Sequence, residues 1–201
     1  RVKTIEPQQI GVRRVEVLFD AEPQLMMGYH KPNYPDPEAY VFTVIANIVR
    51  DMGNSSRFYQ ELVKTGLATS ASVYEELPGQ RYPNLFMVQA TPIAPHTTEE
   101  LEGEILRILN ALATDGPTEL ELQKAKNVVQ ARYIRGLEDN AGLARNLVHA
   151  QSISGDWRLL VQHTKRVDAV TAEDVRQVAA RYFQPEARTV GTLVRPEADT
   201  Q

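Results

Sequence analysis

The chain has 201 residues, 42% of them hydrophobic and 24% charged, with no cysteine and a net charge of −4 from 22 basic and 26 acidic side chains. That apolar fraction excludes a disordered chain, the scattered 11 Gly and 12 Pro exclude a fibrous repeat, and the acidic balance excludes the basic surface a nucleic-acid partner needs. No run approaches the ~20 apolar residues of a membrane helix, and without cysteine there is no disulfide, thiolate nucleophile or cysteine-type zinc site.

Residues 1–9 (RVKTIEPQQ) have no apolar leader core and read as a linker, which we extend through residue 12; residues 196–201 (PEADTQ) read as a polar tail. With no initiating Met, we expect a piece of a longer protein whose leader, if any, lies upstream. Residues 13–19 (RRVEVLF) alternate and predict a half-buried strand with Val15, Val17 and Phe19 inward. After Glu22–Pro23, residues 24–29 (QLMMGY) predict a second strand, and the three prolines of residues 31–37 a loop. Asp36 as N-cap and Pro37 at the first helical position open a helix whose apolar face runs from Tyr40 to Val49 and stops at Gly53. Ser55 or Ser56 caps a second helix carrying Phe58, Tyr59, Leu62 and Val63, closed by Gly66. Residues 67–74 and 85–91 predict two strands around a turn.

From Thr97 the pattern turns helical. Leu101, Ile105, Ile108, Leu109 and Leu112 mark one helix, and Thr118 with Glu121 is a capping box for a longer one through Tyr133. Helices carrying Leu143, Leu147 and Val148, then Trp157, Leu160 and Val161, follow, and Thr171 with Asp174 caps the last. Residues 189–194 (TVGTLV) predict a closing strand. Strands first and helices after, without βαβ alternation, predict one α+β domain over residues 13–195: two layers, a mostly antiparallel sheet covered on one face by helices arranged as two hairpins.

Four histidines are the candidates for metal chemistry. His96, Glu99 and Glu100 come nearest to a metal-binding helix, but Glu100 stands where a second imidazole is needed, and the carboxylates suit a solvated first helical turn. His30 is the fourth; His149 and His163 have no carboxylate three or four residues on, and read as separate surface or cap histidines. Ser55 and Ser56 lie in neither a nucleophile elbow nor a phosphate loop. Glu75–Glu76 and Glu99–Glu100 are neighbours in sequence, and on a strand such neighbours point to opposite faces. By its own residues the chain carries no catalytic constellation and no metal ligands.

The order of motifs is more specific than any one of them. Gly28, Tyr29 and Pro32, then residues 36–40 (DPEAY), 53–63 (GNSSRFYQELV) and Gly66–Leu67–Ala68, then 117–126 (PTELELQKAK), 155–157 (GDW), 170–175 (VTAEDV), Tyr182 and 189–191 (TVG) together resemble the C-terminal, zinc-free half-domain of M16 zinc metallopeptidases, the pitrilysin/insulinase family that includes the mitochondrial processing peptidases. The resemblance runs from about Val12 to Pro196. It implies one half of a clamshell, forming chamber wall and substrate contacts for an N-terminal half that carries the His-x-x-Glu-His motif and the zinc. It further implies no cofactor in this fragment, zinc in the other half, a peptide substrate, a possible second M16 chain as partner, no membrane insertion, and a bacterial periplasmic or envelope setting. Where family members place an Arg and a Tyr against substrate, this chain aligns Val63 and Thr69, which offer neither a charge nor a phenol. That departure keeps a second reading open, an M16-like scaffold subunit without a peptidase role. A third is an unrelated α+β dimerisation domain.

Overall fold

The computed structural model describes residues 9–82 and 84–196. Most of the expected linker, residues 1–8, and of the tail, residues 197–201, lies outside them. Five strands form one sheet in the order β1-β5-β2-β4-β3: β1 (Arg13–Leu18), β2 (Gln24–Lys31), β3 (Ala68–Leu77), β4 (Asn84–Pro92) and β5 (Arg188–Val194). The pairings β5–β2, β2–β4 and β4–β3 are antiparallel, and only β1 runs parallel to its neighbour.

Six α-helices, α1 (Pro37–Ala46), α2 (Thr98–Thr114), α3 (Glu119–Arg135), α4 (Asn140–Ser154), α5 (Arg158–Ala169) and α6 (Ala172–Tyr182), supply the second layer. Alternation decides the sheet's inner face. Leu25, Met27 and Tyr29 on β2 and Phe86, Val88 and Ala90 on β4 are buried against Phe42, Ile45, Leu101, Ile105 and Val178. Each such side chain contributes about 1.5–3 kcal/mol by leaving water. Phe42 lies at the centre of an aromatic group, 5.2 Å from Tyr182, 5.7 Å from Phe86 and 6.1 Å from Phe183 between ring centroids.

The predicted caps are present. The Asp36 side chain accepts from Glu38 N, and reciprocal capping boxes join Thr118 to Glu121 and Thr171 to Asp174, with a further one at Thr97 and Glu100. Gly53 and Gly66 take left-handed φ values of +58° and +82°, where a Cβ would strain the backbone. Helix α1 does not run regularly to Arg50. It changes at Asn47 into a π-helical segment, Asn47–Asp51, where the buried Asn47 side chain donates to Thr43 O at 2.8 Å and competes with the helical ladder. The next helix also contains a π segment, Tyr59–Val63, entered through Ser56, whose hydroxyl donates to Gly53 O and accepts from Tyr59 N.

Two expectations are corrected. Strand β1 exists but is exposed at every residue, with Val15 at 59%, Val17 at 49% and Phe19, just beyond it, at 63%. It is the outermost strand, and alternation reports a strand's two faces without reporting whether anything covers either. The helices also do not form two hairpins: α4 and α5 pack together, whereas α2 packs chiefly on α6, and α3 packs on α1 and α5.

Candidate functional site

The face of the sheet turned away from the helices has no covering layer among the described residues. Register fixes its composition. One row across it reads Val15, Gly191, Met26, Gln89 and Ser72; the next reads Arg13, Thr189, Gly28, Met87 and Tyr74. Met26 is 39% exposed and Tyr74 45%. Val17, Leu193 and Gln24 extend one end and Leu85 and His30 the other, so Arg13, on the outermost strand, is the one fixed charge on these rows. Gly28 and Gly191 leave the backbone of β2 and β5 uncovered at the centre: a Cβ on Gly191 would meet nothing within 4 Å, and one on Gly28 only Leu85 Cδ1 at 3.6 Å. An open, nearly uncharged, partly apolar face with exposed backbone can receive an extended polypeptide, or be apposed to a second sheet.

Of the two candidate contact residues, Thr69 is exposed and falls at a register irregularity between Ala68 and Ser70, at the start of the edge strand β3. Val63 is half-buried and closes the π segment that packs on that strand. The structure thus brings the two segments together at one sheet edge. Arg57, of the Ser-Ser-Arg motif, is turned away from any ligand-binding role by a bidentate pair with Glu121 on α3, at 2.7 and 3.0 Å.

Among the described residues, no group of three or more His, Cys, Asp or Glu is placed to hold a metal ion. His96, just before the N-cap Thr97, meets Glu100 Oε2 through Nδ1 at 2.9 Å. His149 is exposed, as expected of a surface histidine, but it and the half-buried His163 line one cavity on the helix side of the sheet, where burial lowers the His163 pKa. Glu75 and Glu76 also depart from simple alternation. The register irregularity between Tyr74 and Leu77 lets both carboxylates act electrostatically on Lys31.

A family model described as the Peptidase M16 inactive domain matches residues 1–129. The chain belongs to the M16 inactive-domain family. The zinc protease PqqE of Helicobacter pylori is 26% identical over 182 residues, 89% of this chain but 40% of that protein. The solved structure of a Helicobacter pylori protease superimposes with a TM-score of 0.85 at 25% identity, covering 94% of this chain and 45% of that one. The inactive peptidase domain solved from Bordetella parapertussis gives 0.76 at 25% identity and covers 89% and 96% respectively. The chain spans 28–40% of the length of the curated relatives it matches. Its place is therefore that of an inactive M16 half-domain, homologous to halves of zinc proteases.

Motif order alone offers Val63 and Thr69 as candidates. It does not offer the uncovered face: Met26, Gly28 and Gly191 each look ordinary, and only the register puts them side by side.

Proposed function

We propose that this chain is the zinc-free wall of an M16 peptidase chamber, its uncovered sheet face turned toward peptide substrate and toward a half that carries His-x-x-Glu-His and the zinc. The observation that carries the reading is the sheet itself, packed by helices on one side and left open and almost uncharged on the other. Substrate in extended form would lie along this face and the β3 edge, where backbone groups supply hydrogen bonds without regard to sequence. Val63 and Thr69 would border it there, offering van der Waals contact and a hydroxyl. Zinc chemistry, a metal-activated water, would come from the other half.

The test is reconstitution. The chain alone should not cleave an unfolded peptide; mixed with the zinc-bearing half of its parent it should raise that half's cleavage, and a chelator should abolish the gain. No gain over the zinc-bearing half alone would contradict the proposal. The scaffold reading is favoured by Val63 and Thr69, which lack the family's Arg and Tyr, and predicts assembly with the other half without any cleavage.

A further inference from the structure

A cavity of about 240 Å³ lies on the other side of the sheet, between α1, the β3–β4 connection and the α4–α5 pair. Its wall is of two kinds. On one side Tyr40, Tyr133 and His163 form an aromatic shelf: His163 stacks on Tyr133 with centroids 4.7 Å apart and 18° between planes, and its centroid is 5.6 Å from that of Tyr40. On the other stand Lys31 and Asn84, paired across β2 and β4 and only 6% and 1% exposed.

The polar atoms of this wall are under-used. Of the three N–H groups of the Lys31 ammonium, one reaches Pro32 O at 3.2 Å; Nζ also lies 5.4 Å from the centre of the Phe42 ring, and the group has no ion pair among the described residues. Asn84 Nδ2 donates to Gly79 O at 3.1 Å, but its Oδ1 has no partner. A buried polar atom without a partner is costly, and packing gives no reason for Asn84 Oδ1 to stand so beside a buried ammonium with a single hydrogen bond. The charges constrain what could complete them. Glu75, Glu76 and Asp36 all act on Lys31, and burial pushes Glu75 up to about 7, so the wall offers both a positive and a negative partner, which a ligand carrying both charges can meet.

We propose that this cavity binds a small zwitterion, a free aromatic amino acid or a dipeptide of similar size. Its carboxylate takes the remaining N–H groups of Lys31, its ammonium faces Asn84 Oδ1 and the Glu76 carboxylate, and its side chain lies on the Tyr133–His163 shelf. The volume suits one such molecule and falls below the roughly 300–1,000 Å³ of sites for larger ligands. His149 Nε2, 2.7 Å from Gln80 Oε1, joins α4 to the β3–β4 connection beside it. This site is independent of the chamber-wall reading and needs no zinc-bearing half.

Calorimetric titration of the 201-residue chain with L-phenylalanine, glycyl-L-phenylalanine, N-acetyl-L-phenylalanine and L-phenylalaninamide tests it. The free amino acid or the dipeptide should bind, whichever is tighter identifying the ligand, and blocking either charged end should weaken binding at least about tenfold. Lys31→Met, with its fold checked by circular dichroism, should lose discrimination between phenylalanine and its amide. If that variant does not fold, the blocked ligands on the unaltered chain decide. Absence of binding by both zwitterions, equal binding by the blocked forms, or full discrimination surviving Lys31→Met would overturn the proposal.

Discussion

Arg57 and Glu121 show how one contact can serve two elements. Arg57, at the start of the helix that follows Ser56, meets both carboxylate oxygens of Glu121, which also closes the capping box of α3 through Thr118. Burial opposes ionisation of Glu121, but hydrogen bonds from Arg57 and Thr118 and the charge of Arg57 outweigh it and hold the group at about 2. A carboxylate depressed from its ordinary 4.5 contributes stability that is present above about pH 4.5 and lost as pH falls toward 2. Urea unfolding of Glu121→Gln should therefore show a loss of about 1.5–3 kcal/mol at neutral pH, shrinking in acid.

Glu75 runs the other way. Burial first, and then the neighbouring charge of Glu76, push it up to about 7, with Thr43 and Lys31 opposing. An acid raised above 4.5 in the folded state costs nothing below about pH 4.5; the cost grows as pH rises from there to about 7 and is constant above. Glu75→Gln should leave stability unchanged near pH 4 and raise it above pH 7, on the order of 1–3 kcal/mol, checked by urea midpoints at both ends. The capping box was legible in the spacing of Thr118 and Glu121. The high pKa of Glu75 was not, because a strand irregularity, invisible in a string of residues, decides where its carboxyl lies.

Among the elements, each predicted strand and helix is present, because apolar period and cap residues agree along most of the chain. What the pattern misjudged is cover. The β1 alternation was read as half-burial, yet that strand touches the helical layer mainly through Arg14, whose guanidinium meets both oxygens of the buried Glu102 at 2.8 Å. Glu102→Ala should cost about 1–3 kcal/mol in urea unfolding, since it leaves Arg14 and Arg188 without their carboxylate partner. Val17→Lys, by contrast, should change the stability of the isolated chain by no more than about 0.5 kcal/mol. The apolar residues of α4 and α5 carry the same lesson, with Val148 68% and Val161 70% exposed despite regular helical spacing. The π segment at Asn47 had no sequence signal beyond a buried Asn in an apolar helix face.

At the scale of the molecule, α+β class, sheet type and family place were legible in the sequence, while the uncovered face emerges only once β5 returns between β1 and β2. That crossover sets Gly191 beside Met26 and gives the uncovered face its bare centre. Gly191→Leu has open space to fill, so thermal unfolding should move little. In a two-half protein the added side chain should stand up from the wall and slow cleavage of bulky peptides more than of small ones, measured as kcat/KM.

Photo-crosslinking tests the wall most directly. A photoreactive residue is placed at Met26 or Met87 on the uncovered face, or at Val148 on the helical side, in a two-half protein whose zinc motif has its general-base Glu replaced by Gln. Bound peptide should be captured from Met26 and Met87 and not from Val148; capture from Val148 alone, or equally from all three, would contradict a chamber wall formed by the sheet.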